Sequence, residues 1–254
     1  MFNRVWREKL IPWMIPMIIL GLWQILSMNG MIPATILPSP IAVIQSGAEL
    51  TASGELINHI SISLGRALTG FLIGGLIGFL FGLFNGLFKP LDLLLDTSIQ
   101  MLRNIPHLAL LPLVILWFGI DEVSKVFLVA LGVLFPIYIN TYHGIKSVDK
   151  GLIEMGRAYG LKGYSLFFQV ILPGALSSIL VGIRYALGIM WTTLIVAETI
   201  AANSGIGYMA MNAREFMQMD VIVLSILIYS LLGKLSDWIA KLFEKKWLMW
   251  KQLS

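Results

Sequence analysis

Long apolar segments alternate with short polar ones along this chain. A bilayer core of about 30 Å is crossed by about 20 mainly apolar residues in a helix. Six segments reach or approach that length: Pro12–Met28, His59–Phe84, Leu91–Phe118, Val126–Tyr142, Gly174–Ile200 and Val221–Ala240. The pattern therefore predicts an all-α polytopic membrane protein with six transmembrane helices.

The positions of lysine and arginine predict the orientation of these spans. If the amino terminus is inside, twelve of the 18 basic residues fall in inner segments and only Lys125 and Arg214 in or beside outer ones. Because short cytoplasmic segments are enriched in lysine and arginine, both termini are expected to be cytoplasmic. The chain then divides into an N-terminal span with a periplasmic loop (1–58), a transmembrane core (59–243) and a cytoplasmic tail (244–254).

The composition excludes a water-soluble protein. Hydrophobic residues make up 57% of the chain and charged residues 13%, with a mean hydropathy of +0.84. Soluble domains carry about 25% charged residues. The net charge is +4, and the charged residues lie at the ends of apolar segments. This distribution indicates residues at membrane interfaces and not a nucleic-acid-binding surface. The chain has no cysteine, so it has no disulfide, thiolate metal site or thiol nucleophile.

The sequence carries no pattern typical of an enzyme. It lacks a G-x-x-x-x-G-K-[ST] phosphate loop, and its histidines (His59, His107 and His143) are too scattered for a metal site. An intramembrane catalytic pair of Glu198 and His107 is a remote alternative, since nothing in the sequence places them together. Uphill transport would draw its energy from another chain or from an ion gradient, as in a secondary transporter.

Five glycines recur every four residues in the second predicted span. They are Gly70, Gly74, Gly78, Gly82 and Gly86. On a helix this spacing forms a smooth stripe that lets another backbone approach closely. We interpret the stripe as a helix-packing face and not as a substrate path.

A polar cluster interrupts the third predicted span. It consists of Arg103, Asn104 and His107. Pro106 lies within it, and proline leaves the carbonyl four residues earlier without its helical partner. In lipid such a carbonyl must be satisfied by protein or by water in a cavity. The cluster therefore predicts a segment that lines a translocation pathway. The alternative is that Arg103 lies near the inner interface and pairs only with Asp92 or Asp96.

The second and fifth predicted spans also contain charged residues. Arg184 is eleven residues past Pro173, which places it about 16 Å into the fifth span, and Glu198 lies near the outer end of that helix. Intramembrane charges usually face the bundle interior or a watery path, so both are pathway candidates. Arg184 could instead be the structural partner of another buried polar group. Arg66, about seven residues into the second span, is predicted to extend its charged group to the membrane interface.

The longest inner loop, 144–173, has the most specific pattern. It reads Glu154, Met155, Gly156, Arg157, Ala158, Tyr159 and Gly160, then nine residues to Val170, Ile171, Leu172 and Pro173. The first part predicts a short amphipathic helix that ends at Gly160, where a left-handed residue can reverse the chain. Pro173 is predicted to set the start of the next helix. Such a compact helix suits the docking of a soluble partner.

This loop resembles the E-A-A-x3-G-x9-I-x-L-P signature of ABC importer permeases. The matching positions are Glu154, Gly160, Leu172 and Pro173. The differing positions are Met155 and Gly156, which replace two alanines, and Val170, which replaces isoleucine. In this family the segment is the coupling helix, so the resemblance implies that residues 154–160 dock on an ATP-hydrolysing subunit.

Further motifs extend the resemblance over nearly the whole chain. The segments Leu37–Pro40, Ile105–Pro106, Leu116–Gly119, Ala197–Thr199 and Ser204–Tyr208 are similar to the nitrate/sulfonate/taurine branch of these permeases. The segments Asp96–Asn104, Asp121–Glu122 and Met211–Phe216 are most similar to the aliphatic sulfonate permeases.

The resemblance implies a type I ABC importer permease of the bacterial cytoplasmic membrane. Its expected partners are a second copy of this chain, two ATP-binding subunits, an extracytoplasmic substrate-binding protein and membrane lipid. ATP and Mg²⁺ would be held by the partner ATPase, and this chain would bind no cofactor. The implied substrate is an aliphatic sulfonate, with taurine, nitrate or another small anion as alternatives.

Overall fold

The computed structural model describes residues 2–248, and within that range the ordered elements are helices. Their bounds are α1 (Phe2–Met28), α2 (Pro40–Ala52), α3 (Glu55–Leu87), α4 (Lys89–Arg103), α5 (Leu111–Phe118), α6 (Glu122–Lys146), α7 (Lys150–Ala158), α8 (Gly163–Leu166), α9 (Leu172–Ala201), α10 (Ile206–Glu215) and α11 (Met219–Trp247). A 3₁₀ turn (His107–Leu110) precedes α5, and a π-helical turn (Phe167–Ile171) joins α8 to α9. The last six residues of the predicted tail lie outside the described range. The all-α prediction is confirmed for residues 2–248.

Four helical stretches of the described chain are long and apolar enough to cross a membrane. They are α3, α6, the continuous run Gly163–Ala201 and α11. The pair formed by α4 and the segment His107–Phe118 would make a fifth, although it is bent by 78°. The apolar part of α1, Met14–Met28, is shorter than the others. Four to five of the six predicted spans are therefore confirmed, and the first, Pro12–Met28, stays a prediction.

The third predicted span, Leu91–Phe118, is wrong as a continuous helix. It breaks after Arg103, turns through Asn104 to Pro106 and resumes as the 3₁₀ turn and α5. Pro106 cannot supply the backbone N–H that would continue α4, and the residue before a proline is disfavoured in the helical region. Pro112 then occupies the first turn of α5, where a missing N–H has no cost.

The glycine stripe of α3 packs along α6 in the same chain direction. Gly70 lies against Val129 at one end, and Gly86 lies against Ile145 at the other. Two helices that run parallel and follow each other in the chain need a connection that returns across the bundle. The bent pair α4–α5 is the segment between them, so it makes that return.

The helix α6 is the centre of the bundle. Half of its apolar window is buried inside the protein, against about a third or less for α3, α9 and α11. On its second side it packs antiparallel to α9, where Gly182 lies against Asn140 and Gly144 lies against Ser178. Because glycines lie at the contacts of α6 with α3 and with α9, the backbones of these three helices approach closely. The side of α9 that faces away from α6 packs antiparallel to α11.

The N-terminal elements lie at the edge of the bundle. The hydroxyl of Ser39 caps α2 by accepting a hydrogen bond from Ala42 N, and Pro40 begins the helix. The indole of Trp23 on α1 donates to the carbonyl of Pro38 at 3.0 Å. Most described apolar side chains of α1, such as Ile15 and Met17, are exposed. Exposed apolar helix surface of this kind is suited to lipid.

Candidate functional site

The helix α7 forms a compact projection at one end of the bundle, hereafter the loop end. The Asp149 side chain accepts a hydrogen bond from Gly151 N at 2.7 Å and so caps the start of α7. At the other end Gly160 has a φ of +83°, and Leu161 N donates to Gly156 O at 3.0 Å. This is the 6→1 closure expected where a left-handed glycine ends a helix. The local structure predicted for this part of the loop is therefore confirmed.

One face of α7 is fixed to the bundle and the other is free. A Cβ at Gly156 would lie 2.9 Å from Leu166 Cδ1, so α7 packs closely against the segment that follows it. On the outer face Met155 and Tyr159 are 51% and 82% exposed, and Glu154 and Ala158 are exposed as well. A large aromatic ring held in this exposed position, on a rigid helix, is suited to insertion into a partner protein.

Pro173 lies in the first turn of α9, as predicted, although α9 continues a helical run that begins before it. The run starts at Gly163, passes through the π-helical turn and continues into α9. In that turn Leu172 N donates to Phe167 O, one residue further back than in an α-helix. The wider turn accommodates a proline that lacks an N–H and whose ring would press on the carbonyl of Gln169. Both Leu172 and Pro173 are half-buried against the bundle.

At the opposite end of the bundle a buried polar cluster joins α3, α6, α9 and α11. We call it the Arg66 cluster; its members are Ser63, Arg66, Glu122, Glu198, Ser204 and Tyr229. The carboxylate of Glu198 is 1% exposed and accepts hydrogen bonds from Ser63 Oγ, Tyr229 Oη and Gly207 N at 2.8 to 2.9 Å. Arg66 Nη1 donates to the same carboxylate at 2.7 Å. A buried charge is thus paired and fully hydrogen-bonded.

The placement of Arg66 contradicts the prediction of an interfacial side chain. Its side chain is 3% exposed and its guanidinium contacts two carboxylates, Glu198 and Glu122. The position of Arg66 near the start of its span suggests an interfacial side chain. Its partners Glu122 and Glu198 lie 56 and 132 residues away in the sequence, so no local pattern indicates them. Ser63 and Tyr229 were missed for the same reason. The available signal was Glu198 itself, because a buried acid requires a donor set elsewhere in the chain.

The Arg66 cluster also holds the turn between α9 and α10. Gly205, with a φ of +105°, donates its N–H to His59 Nδ1 at 3.0 Å. The next amide, Ile206 N, donates to Ser63 Oγ at 2.9 Å. Gly205 lies so close to the Glu198 carboxylate that any Cβ there would clash. The chain after α9 is therefore folded back onto the bundle.

The predicted pathway residues of the third span lie at the break in the bent pair α4–α5, which we call the bent segment. Arg103 and Asn104 are exposed, and His107 Nε2 lies 3.0 Å from Thr193 Oγ1 on α9. Among the described residues, Asp92 pairs with Lys146 and Asp96 accepts a hydrogen bond from Gln100. Neither carboxylate forms an ion pair with Arg103 in residues 2–248.

The fifth-span candidate Arg184 has partners on α11. Its Nε donates to Asp237 Oδ1 at 2.8 Å, and its Nη1 lies 3.3 Å from Glu244 Oε2. Lys241 pairs with the other oxygen of Asp237 at 2.8 Å. The side chains of Arg184, Asp237 and Glu244 are about a third exposed and tie α9 to α11. Arg184 and Glu198 thus lie in separate ion-pair groups, and neither joins the bent segment.

Comparison with known proteins places this architecture in a family. Residues 70–249 match the family described as binding-protein-dependent transport system inner membrane component. The chain is 63% identical over 245 residues to the putative aliphatic sulfonates transport permease protein SsuC of Escherichia coli K12, covering 96% of this chain and 93% of that protein. It is 32% identical to the taurine transport system permease protein TauC of the same organism, covering 92% and 86%.

Solved structures show the same fold. An amino acid ABC transporter chain with 20% identity superposes with a TM-score of 0.64 and covers 78% of this chain and 97% of that one. The inward-facing MetNI methionine ABC transporter, at 17% identity, gives a TM-score of 0.54 and covers 74% and 94%. The family predicted from the loop motif is confirmed. This multi-pass membrane protein belongs to the family of binding-protein-dependent transport system inner membrane components.

Proposed function

We propose that this chain is the membrane-spanning subunit of an ATP-driven importer that translocates aliphatic sulfonates across the bacterial cytoplasmic membrane. The support for the substrate is 63% identity, over 96% of the chain, to a putative aliphatic sulfonates permease. The next candidate substrate is taurine, itself an aminoalkyl sulfonate, because a taurine permease is 32% identical to this chain. Nitrate or another small anion is a more distant alternative.

The observation that carries the proposal is the geometry of α7. An importer whose permease lacks a phosphate loop needs an element that transmits force from an ATPase. Such an element must be rigidly attached on one side and accessible on the other. In α7 the attached side is Gly156 against Leu166, and the accessible side presents Met155 and Tyr159. We assign the coupling element to Glu154, Met155, Gly156, Ala158, Tyr159, Gly160, Leu172 and Pro173.

The assembly that follows has two copies of this chain and two ATP-binding subunits, with ATP and Mg²⁺ held by the latter. In this proposal all six spans cross the membrane, both termini and the loop end face the cytoplasm, and a binding protein docks at the opposite end. The excess of basic residues in the predicted inner segments supports that orientation. ATP binding would draw the two ATPases together, pull on both α7 helices and turn the cavity outward.

We place the translocation path along the bent segment. A polar break in an apolar span is tolerated where it lines protein or water, and Arg103, Asn104 and His107 lie at this break. Arg103 is exposed and has no ion-pair partner among residues 2–248, so its charge is available to an anion passing between two copies of the chain. Arg184 and Glu198 stay as further pathway candidates, although each is held by partners in this structure.

The proposal is tested with the chain, its ATPase and its binding protein reconstituted in liposomes. Glu154→Lys should insert normally but lose ATP-driven ethanesulfonate uptake, because it reverses a charge on the docking face. Lys162→Glu is the matched control, since it reverses an exposed charge of the same loop just past α7. Normal uptake by Glu154→Lys would contradict the coupling assignment. Uptake by this chain alone, driven by an ion gradient, would instead indicate a secondary transporter.

A further inference from the structure

The outer edge of Arg66 is closed by an exposed carboxylate. Arg66 Nε and Nη2 donate to the two oxygens of Glu122, each at 2.5 Å, in the two-pronged geometry of guanidinium–carboxylate pairs. The side chain of Glu122 is 62% exposed, whereas that of Arg66 is 3% exposed. The guanidinium is thus buried, whereas one of its two carboxylate partners is exposed.

The inner edge of the same guanidinium is fixed. Nη1 donates to Glu198 and to the carbonyl of Ser204, at 2.7 and 2.6 Å, and Nη2 also donates to Ser204 Oγ at 2.8 Å. These partners are buried or part-buried and do not depend on Glu122. Movement of Glu122 into solvent would therefore leave Nε–H and one of the two N–H groups of Nη2 in place, without an acceptor.

A second cation lies beside this pair. Lys125 is 3% exposed, its Nζ donates to the carbonyl of Ile120 at 2.9 Å, and it lies 3.6 Å from Glu122 Oε1. An ammonium has three donors, so this carbonyl uses only one of them. Two buried cations converge on one exposed carboxylate, and its departure leaves them facing the same space.

Departure of Glu122 has unequal consequences for the two partners. The exposed carboxylate is rehydrated in water, so the free-energy cost falls mainly on the buried cations that it leaves. A buried guanidinium stripped of one partner is strongly unfavourable, so the vacated position demands a negative group. A sulfonate presents tetrahedral oxygens at a spacing that a guanidinium fork can bind with two hydrogen bonds.

We propose that Arg66 Nε and Nη2, with Lys125 Nζ, form an anion-binding subsite for the sulfonate group of the substrate, which Glu122 occupies as a displaceable internal anion. The assignment of the ligand rests on the proposed function, while the subsite itself rests on the contacts of Arg66. The subsite lies at the end opposite α7, where a substrate arriving from a binding protein would first meet the permease. Glu122 then keeps the position closed to anions until a sulfonate replaces it.

Binding of ethanesulfonate to the full-length chain in nanodiscs tests this directly by calorimetry in a buffer of low chloride. Glu122→Ala removes the internal competitor and should bind ethanesulfonate about tenfold more tightly than the unsubstituted chain. Glu215→Ala removes an exposed carboxylate of α10 in the same way and should leave the affinity unchanged. Adding Arg66→Lys to Glu122→Ala should abolish the gain, because lysine lacks the two-pronged fork.

Two results would overturn the proposal. One is a folded Glu122→Ala protein whose affinity matches that of the unsubstituted chain. The other is a gain for nitrate as large as that for ethanesulfonate, which would remove the sulfonate assignment. Failure of the proposed function is seen separately, as absent sulfonate uptake by the assembled, unsubstituted importer. The binding test needs neither the ATPase nor the binding protein, so one failure cannot be mistaken for the other.

Discussion

Gly74 on α3 lies directly against the carbonyl oxygen of Ala130 on α6. A Cβ built at Gly74 would be 2.0 Å from that oxygen, a separation that real Cβ atoms do not show. One turn further along, a Cβ at Gly78 would be 2.3 Å from the carbonyl oxygen of Leu134. The two backbones are therefore in contact over successive turns, and the obstacle is main chain that cannot rotate away.

Gly74→Ala should destabilise the protein, by about 1 to 3 kcal/mol, because α3 and α6 must separate to admit the methyl group. Gly65→Ala on the same helix is the matched control, since nothing lies within 4 Å of its Cβ position and alanine has the higher helix propensity. Thermal unfolding in detergent measures both. Equal melting temperatures for the two variants would refute the close packing of this stripe.

Tyr229→Phe should cost about 1 kcal/mol of stability, because it removes one donor from the buried Glu198 carboxylate and leaves the others in place. The control is Tyr185→Phe, which removes a hydroxyl from a side chain that is 67% exposed. Denaturant midpoints of tryptophan fluorescence report the difference. If the two hydroxyl deletions had the same effect, the Tyr229–Glu198 contact would contribute nothing.

Gly160→Val should impair ATP-driven transport more than Gly160→Asn. The φ of +83° at this position is accessible to asparagine at modest cost but strongly unfavourable for a β-branched residue. No atom lies within 4 Å of a Cβ here, so backbone strain and not crowding separates the two variants. ATPase stimulation by the reconstituted permease is the readout. Indistinguishable stimulation would show that the end of α7 need not keep this conformation.

Cysteine labelling can test the proposed orientation without background, because the chain has no cysteine. Tyr164→Cys, at a position 84% exposed beside α7, should react with an impermeant maleimide only from the cytoplasmic side. Glu49→Cys, on α2, should react only from the opposite side. Labelling of both from one side of sealed vesicles would contradict the proposed crossing number.

The long helices could be predicted from the sequence because each is an apolar run with polar ends. The predicted span Val126–Tyr142 lies within α6, and Gly174–Ile200 lies within α9. The end of α7 was predictable for a similar reason, since a glycine in a polar, amphipathic context is a local signal. Family membership followed from the same loop.

The errors concern long-range partners and the response of a helix to proline. A single arginine in an apolar helix looks the same whether it extends to the interface or meets Glu198 across the bundle, so Arg66 was misplaced. The prolines at 106 and 173 marked irregular backbone correctly, but the sequence could not distinguish two outcomes. At Pro106 the helix breaks and turns through a large angle, whereas at Pro173 a π-helical turn absorbs the defect.

The parallel contact between α3 and α6 has a consequence for synthesis of the protein. About sixty residues separate Gly70 from Val129. Because chains grow at roughly 5 to 20 residues per second, α6 is synthesised roughly 3 to 12 s after α3. Glu198, 132 residues after Arg66, arrives later still. During that interval the nascent helix carries an uncovered smooth face and an unneutralised guanidinium. Until α6 and α9 have been synthesised, the glycine stripe and the Arg66 guanidinium of α3 therefore lack the partners that they have in the folded protein.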